Sequence, residues 1–255
     1  MIGLGRATLV VGFSLISVAC GKKGPLIYPD MLVPAAPTAV TVLQSGSAVK
    51  LQFVIPDKDL AGRPVQGVSG VKISKRTAEI DQNVCRSCLT DYLLFRTLYL
   101  DHLPANTQRF GNRLIVLDGD VNAGNLYSYR VVPFTADGVD GTSSLIAEAR
   151  VIAPLPAPDL KIESFPTEVK LQISSAPMLA GSLHGYNLYR WTATVPRSYQ
   201  PLNKEPLKGK EYVDSTLERD EKYHYAVREL IILPSGSMAE SAESNEVEGM
   251  LKNDE

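Results

Sequence analysis

Few side chains in this chain are suited to covalent or metal chemistry. Among 255 residues there are three Cys and three His. Cys85-Arg86-Ser87-Cys88 sets two thiols at a spacing that can close a small disulfide loop, remain as free thiols, or serve redox or metal chemistry. A c-type haem site needs His directly after the second Cys, and Leu89 stands there. A zinc site needs about four ligands, and only His102 is near in sequence. A thioredoxin-like active site needs a helix N-terminus to depress a thiol pKa, and no helical pattern surrounds this pair. We predict a structural disulfide between Cys85 and Cys88, with free thiols and redox use as the alternatives. His102, His184 and His224 fall in separate strand or loop contexts. No nucleophile elbow, His-Glu-x-x-His, P-loop or dinucleotide fingerprint is present. Asp118-Gly119-Asp120 and the turn at 137–140 lack the ligand spacing of a calcium loop, and turn geometry accounts for their Asp and Gly. No catalytic, cofactor-binding or metal-ligating set is expected, and the chain reads as a non-enzyme.

The third thiol, Cys20, has a different context. Residues 7–19 are small and apolar, interrupted by Thr8, Gly12, Ser14 and Ser17, and only Arg6 precedes them as a charge. Such a run falls short of the roughly 20 residues a membrane-crossing helix needs, and it ends in small residues as a secretory signal does. Ser17-Val18-Ala19-Cys20 resembles the lipobox of bacterial lipoproteins, with Ser17 where that pattern has an aliphatic residue. The resemblance implies that 1–19 are removed as a signal peptide and that Cys20 becomes the lipid-bearing N-terminus. It implies a cell-envelope location, in the outer membrane of a Gram-negative bacterium, with Gly21 after the Cys consistent with export there. An ordinary signal peptide with an incidental Cys is the alternative. Lipidation would also account for the odd cysteine count, leaving Cys85 and Cys88 as a pair in an oxidising compartment.

The elements that must carry these residues are strands. Residues 20–36 hold Pro25, Pro29 and Pro34, with Pro37 just beyond, and two Lys, and read as an extended tether lifting the first domain off the membrane. An internal repeat follows. Val49-Lys50-Leu51-Gln52-Phe53 is nearly duplicated by Val169-Lys170-Leu171-Gln172-Ile173. Tyr127-Ser128-Tyr129-Arg130-Val131 is matched by Tyr223-His224-Tyr225-Ala226-Val227. Apolar residues alternate with polar ones, the period of half-buried strands. The chain is all-β. In the second repeat short strands separated by turn signals suggest a β-sandwich, with Glu243 to Glu248 as its closing strand and a turn at Pro234-Ser235-Gly236-Ser237.

Ala157-Pro158, Val169-Lys170-Leu171-Gln172-Ile173, His184-Gly185-Tyr186-Asn187-Leu188-Tyr189-Arg190, Tyr212-Val213-Asp214, Tyr223-His224-Tyr225 and Glu243-Ser244-Asn245-Glu246-Val247 together resemble a fibronectin type III domain over 155–250. The resemblance implies a tyrosine corner at Tyr223 and at Tyr127, and Ile173 and Phe53 in place of the family's core Trp. We therefore expect two tandem fibronectin type III-like sandwiches at 37–154 and 155–250, and a tail at 251–255. The first carries an insertion at about 78–113 that holds both Cys85 and Cys88. Its Tyr92-Leu93-Leu94-Phe95 and Leu98-Tyr99-Leu100 are more apolar than an exposed loop should be, so they are expected to cover a sheet edge or form a docking face. Tyr186, Tyr189, Trp191 and Tyr199 form an aromatic cluster of which one strand face must be core. Pro154-Leu155-Pro156 is a short joint that limits hinge angles.

Composition narrows the partners. A net charge of -2 offers no basic footprint for nucleic acid. Leu230-Ile231-Ile232-Leu233 is strand-sized and spans nothing. The leading expectation is a lipid-anchored envelope protein, held to the membrane through Cys20, that binds a protein or glycan partner without making bonds. Cys20-Gly21-Lys22-Lys23-Gly24-Pro25-Leu26 is also similar to the start of LptM-like lipoproteins. That similarity implies an accessory role in assembling the lipopolysaccharide translocon.

Overall fold

The computed structural model describes residues 28–65, 67–80, 88, 91–175, 177 and 181–252. Cys20 and Cys85 lie outside them. A 3-10 turn at Pro29–Met31 precedes fifteen strands. Eight belong to the first half: β1 (Thr38–Ser45), β2 (Ala48–Val54), β3 (Val68–Glu79), β4 (Leu93–Tyr99), β5 (Thr107–Phe110), β6 (Arg113–Asp118), β7 (Asn125–Thr135) and β8 (Ala147–Val151). Seven belong to the second: β9 (Asp159–Ser164), β10 (Val169–Ser174), β11 (Ser182–Trp191), β12 (Glu211–Asp214), β13 (Tyr223–Ile232), β14 (Met238–Glu240) and β15 (Val247–Gly249).

In the first half, β1-β2-β6-β5 faces β4-β3-β7-β8. In the second, β9-β10-β12 faces a layer built on β11 and β13, with β14 and β15 both on β13. Each half is thus a two-layer β-sandwich, the fold that the fibronectin type III resemblance implies. Each core is made by alternation: Val49, Leu51 and Phe53 of β2 meet Val71, Ile73, Tyr129 and Val131, and Val169, Leu171 and Ile173 meet Tyr186, Leu188, Tyr225 and Val227. Ile173 is 3% exposed and Phe53 0%, so both fill the position where the resemblance expected Trp. Both tyrosine corners form. The Asn122 N–H donates to Tyr127 Oη at 2.7 Å, and the Glu218 N–H donates to Tyr223 Oη at 3.0 Å.

Two local expectations are revised and a third takes a definite form. Residues 28–36 do not stand off as a tether. Leu60 N–H donates to Val33 O, Ala61 N–H to Met31 O, Ala35 N–H to Lys58 O and Thr142 N–H to Pro34 O, at 2.9–3.2 Å. In the described part of the 78–113 stretch, β4 covers a sheet edge, as expected: it pairs antiparallel with β3, Tyr99 opposite Gly70 and Leu93 opposite Lys75. Phe95 and Leu98 of β4 reach the core while Leu93 and Leu94 face solvent. The closing strand of the second half is split, β14 and β15 flanking residues 241–246. The cause is side-chain competition for the ladder: Ser241 Oγ takes the Glu229 N–H and Ser244 Oγ takes the Val227 N–H, each at 3.0 Å. Ser144 does the same to the Val131 N–H in the first half, also at 3.0 Å.

Candidate functional site

The two sandwiches share a sheet. β14 lies parallel to β1, with Gln44 opposite Ala239 and Ser45 opposite Glu240, so the order β11-β13-β14-β1-β2-β6-β5 runs unbroken through both. Around this junction the polar side chains concentrate.

Alternation along β2 puts Val49, Leu51 and Phe53 inward and therefore Lys50 on the outer face. That face is buried by the second sandwich. Glu240, at the end of β14, is 0% exposed. Its Oε1 accepts from Lys50 Nζ at 2.8 Å, Tyr189 Oη at 2.9 Å and Asn187 Nδ2 at 2.6 Å. Its Oε2 accepts from Ser45 Oγ at 2.5 Å and Lys50 Nζ at 2.9 Å. Burial works against the charged carboxylate, but the Lys50 ammonium and the Ser45 and Asn187 donors outweigh it and hold Glu240 below the usual range. Burial, reinforced by the Glu240 charge, pushes the Tyr189 phenol well above its usual value. Tyr189 stays a neutral donor.

A second layer closes over the first. The loop after β11 carries Arg197, whose guanidinium lies 4.7 Å from the Trp191 ring centre and 5.8 Å from that of Tyr189. Arg197 and Arg228 share the Glu243 carboxylate, Arg228 at 3.1 Å. Burial, then the nearby Arg228 charge, holds Arg197 below the usual guanidinium value. The main chain of this loop is gripped by β5: Gln108 Nε2 donates to Arg197 O at 2.7 Å, and Tyr199 N–H donates to Gln108 Oε1 at 2.6 Å. Tyr199 Oη donates to Ala105 O at 2.9 Å. Between the layers a cavity of about 200 Å³ opens beside Lys50, Tyr189, Arg197 and Arg228.

The joint residues are equally committed. Gln44 Nε2 donates to Ile152 O at 2.8 Å and Gln44 Oε1 accepts the Ile152 N–H at 2.9 Å. Ala242 N–H donates to Leu155 O at 2.8 Å. Leu155 is buried with Ile231, Leu233 and Ala239. Gly46 closes the β1–β2 turn at φ 61°, and a Cβ there would sit 2.9 Å from Arg228 Nη1. The joint at Pro154-Leu155-Pro156 is therefore braced on both sides, in keeping with a short linker that limits hinge angles.

The structure divides the aromatic cluster as alternation required. Tyr186 is in the second core, while Tyr189, Trp191 and Tyr199 serve the seam. His224 stacks on Trp191, with ring centres 5.8 Å apart, and bonds Glu246 at 2.7 Å. His102, His184 and His224 are not brought together, and among the described residues no group of three or more His, Cys, Asp or Glu is placed to hold a metal. Cys88 is disulfide-bonded, and its predicted partner Cys85 is outside the described residues.

A repeated polar triad went unread in the sequence. Asp118, ending β6, accepts from Tyr129 Oη at 2.7 Å and Lys75 Nζ at 2.8 Å. Asp214, ending β12, accepts from Tyr225 Oη at 3.0 Å and Arg190 Nη1 at 2.6 Å. Each Asp also caps its own turn, taking the N–H of Asp120 or Thr216. The signal was available: in both repeats the Asp precedes its Tyr by 11 residues. The acidic turn considered for calcium is thus one half of this internal pair.

No family model matches the chain, and no curated protein matches it. Among solved structures, the crystal structure of chicken CNTN1 FN1-FN3 domains is similar at 14% identity and a TM-score of 0.33, over 87% of this chain and 69% of that one.

Proposed function

We propose that this is a non-enzymatic, lipid-anchored envelope protein in which two rigidly joined sandwiches present a surface to a protein or glycan partner. The observation that carries the reading is how the seam spends its polar side chains. Lys50, Arg197 and Arg228 are engaged with Glu240 and Glu243, holding one unit against the other. Anchoring is supported by the lipobox-like run ending in Cys20. The partner contact is supported by β4, an edge strand whose Leu93, Leu94 and Tyr99 are 74%, 63% and 55% exposed. An edge of that kind suits pairing with another chain.

Metabolic labelling with an alkyne palmitate is the first test: the wild type should be labelled and Cys20→Ala should not. Photocrosslinkers at Leu93 and Leu94 in intact cells are the second. They should trap a discrete adduct, and a smear equal to that from an exposed position on β9 would refute the partner reading.

A second reading rests on residues 20–26, whose similarity to LptM-like lipoproteins supports an accessory role at the lipopolysaccharide translocon. Lys23→Ala and Gly24→Ala should then weaken the outer-membrane barrier while palmitate labelling persists. With Cys88 disulfide-bonded, alkylation and mass mapping should find Cys85 and Cys88 protected; free thiols that titrate in cell extracts would instead favour a redox role for the pair.

A further inference from the structure

The end of the first sandwich remote from the seam carries its own apolar surface. Tyr28, Leu32, Leu60 and Val139 are 59%, 45%, 47% and 48% exposed. They come from three segments: the N-terminal stretch, the β2–β3 connection and the β7–β8 connection. The hydrogen bonds from Leu60 and Ala61 to Val33 and Met31, and from Thr142 to Pro34, tie these segments into one surface. Gly141 permits the closest approach, since a Cβ there would lie 2.5 Å from Pro34 O. Leu32 and Val139 line the same open cavity of about 560 Å³ together with Arg63, Val65 and Asp137.

The position of this surface along the chain says what it faces. Cys20 is separated from Tyr28 by seven residues, Gly21 to Ile27, so the two are at most about 29 Å apart fully extended. The eight residues of β1 run from this end to Ser45 at the seam, about 26 Å at a strand's rise per residue. A lipid on Cys20 would therefore attach the molecule to the bilayer at its Tyr28–Leu32–Leu60–Val139 end. The second sandwich, attached at the far end of β1, points away.

We propose that this end is a membrane-resting surface: Tyr28, Leu32, Leu60 and Val139 enter the headgroup region of the bilayer to which Cys20 is anchored, and the rigid pair stands upright on it. This rests on the lipid-anchored reading. The chemistry suits an interface, an amphipathic Tyr beside aliphatic side chains. An acyl chain and a protein contact together supply the two attachments that stable anchoring requires.

The test uses the full-length lipidated protein in vesicles of phosphatidylethanolamine and phosphatidylglycerol containing a carbene-generating phospholipid. Labelled residues are then mapped by mass spectrometry. Label should concentrate on the peptides holding Tyr28, Leu32, Leu60 and Val139, several-fold above those of the second sandwich. Leu32→Asp/Leu60→Asp/Val139→Asp should abolish that excess while the protein still floats with the vesicles and keeps its unfolding midpoint. Flotation with label evenly spread, or with this end protected by crosslinks to another protein or a second copy, overturns the inference and leaves lipid anchoring intact. A protein that fails to float overturns both.

Discussion

Replacing Lys50 with Met is the sharpest perturbation of the seam. Met keeps most of the Lys side-chain volume and removes the charge. Glu240 is then a fully buried carboxylate facing three neutral donors, Ser45, Asn187 and Tyr189. Breaking a buried pair from one side costs about 3–5 kcal/mol. The three donors that remain place this case at the lower end, about 3 kcal/mol. The pH dependence makes the reasoning specific. In the wild type Glu240 lies below its unfolded value of 4.5, so its contribution is present above that pH and is lost as pH falls through the folded value. Without Lys50, desolvation is the larger influence and the folded value rises above the unfolded one. The variant then recovers stability as the pH drops and Glu240 protonates. Urea unfolding of both proteins at pH 5 and pH 8 should show a larger destabilisation at pH 8. A loss below about 1 kcal/mol at pH 8, or one that is equal at the two pH values, would refute the claim that Lys50 neutralises a buried charge.

Tyr127→Phe and Tyr223→Phe each remove the acceptor for a backbone N–H, and each should cost about 1–3 kcal/mol in chemical denaturation; a neutral result would mean that water replaces the phenol. Asp214 is held below its unfolded value of 3.8 despite burial, by its bonds to Thr216 and Arg190. Its contribution is present above pH 4 and lost as pH falls through the folded value, so Asp214→Asn should flatten the acid limb of a stability–pH profile. Gly46→Ala meets both a left-handed φ and Arg228 Nη1 and should lower stability by about 1–2 kcal/mol, measured as a thermal shift. Ala39, a non-Gly residue at φ 49° in the β1 bulge, should respond in the opposite way, with Ala39→Gly gaining up to about 1 kcal/mol.

Much of the fold was legible because each repeat obeys a local rule. Val49-Lys50-Leu51-Gln52-Phe53 and its counterpart announce half-buried strands, and a Tyr followed two residues later by another Tyr marks the corner strand twice. The seam was harder to read, since period-two alternation says which face is core but not that the other face is covered too. Leu114-Ile115-Val116-Leu117 and Leu230-Ile231-Ile232-Leu233 did carry that message. An apolar residue at every position is the pattern of a strand buried on both sides, and Ile115 and Ile231 are 1% and 3% exposed. Glu240 carried no such mark. It ends a three-residue strand and is followed by Ser241-Ala242-Glu243, where a carboxylate ordinarily faces water. The breakup of the predicted closing strand was likewise hidden in serines, whose side chains take ladder N–H groups only once β13 is in place.

The buried charge also bears on why the two sandwiches meet in one arrangement. The shared ladder between β1 and β14 is two residue pairs long, too short to fix its own register. Apolar contact from Leu155, Ile231 and Leu233 is non-directional and would tolerate sliding. A slip of one residue would turn Glu240 to the opposite face of the sheet, separating it from Lys50, Asn187 and Tyr189 and stranding charges inside the interface. That penalty falls on every alternative register and not on the observed one. The Glu240 cluster therefore acts as a register pin, a use for which buried polar groups are well suited. The same reasoning links the seam to the far end of the molecule. A second sandwich held in register by β1 keeps a fixed bearing relative to Tyr28 and Leu60, as the proposed membrane contact would require. Lys50→Met should therefore do more than lower stability. It should broaden the distance distribution between spin labels on β9 and β5, and an unchanged distribution would mean that the apolar joint alone sets the angle.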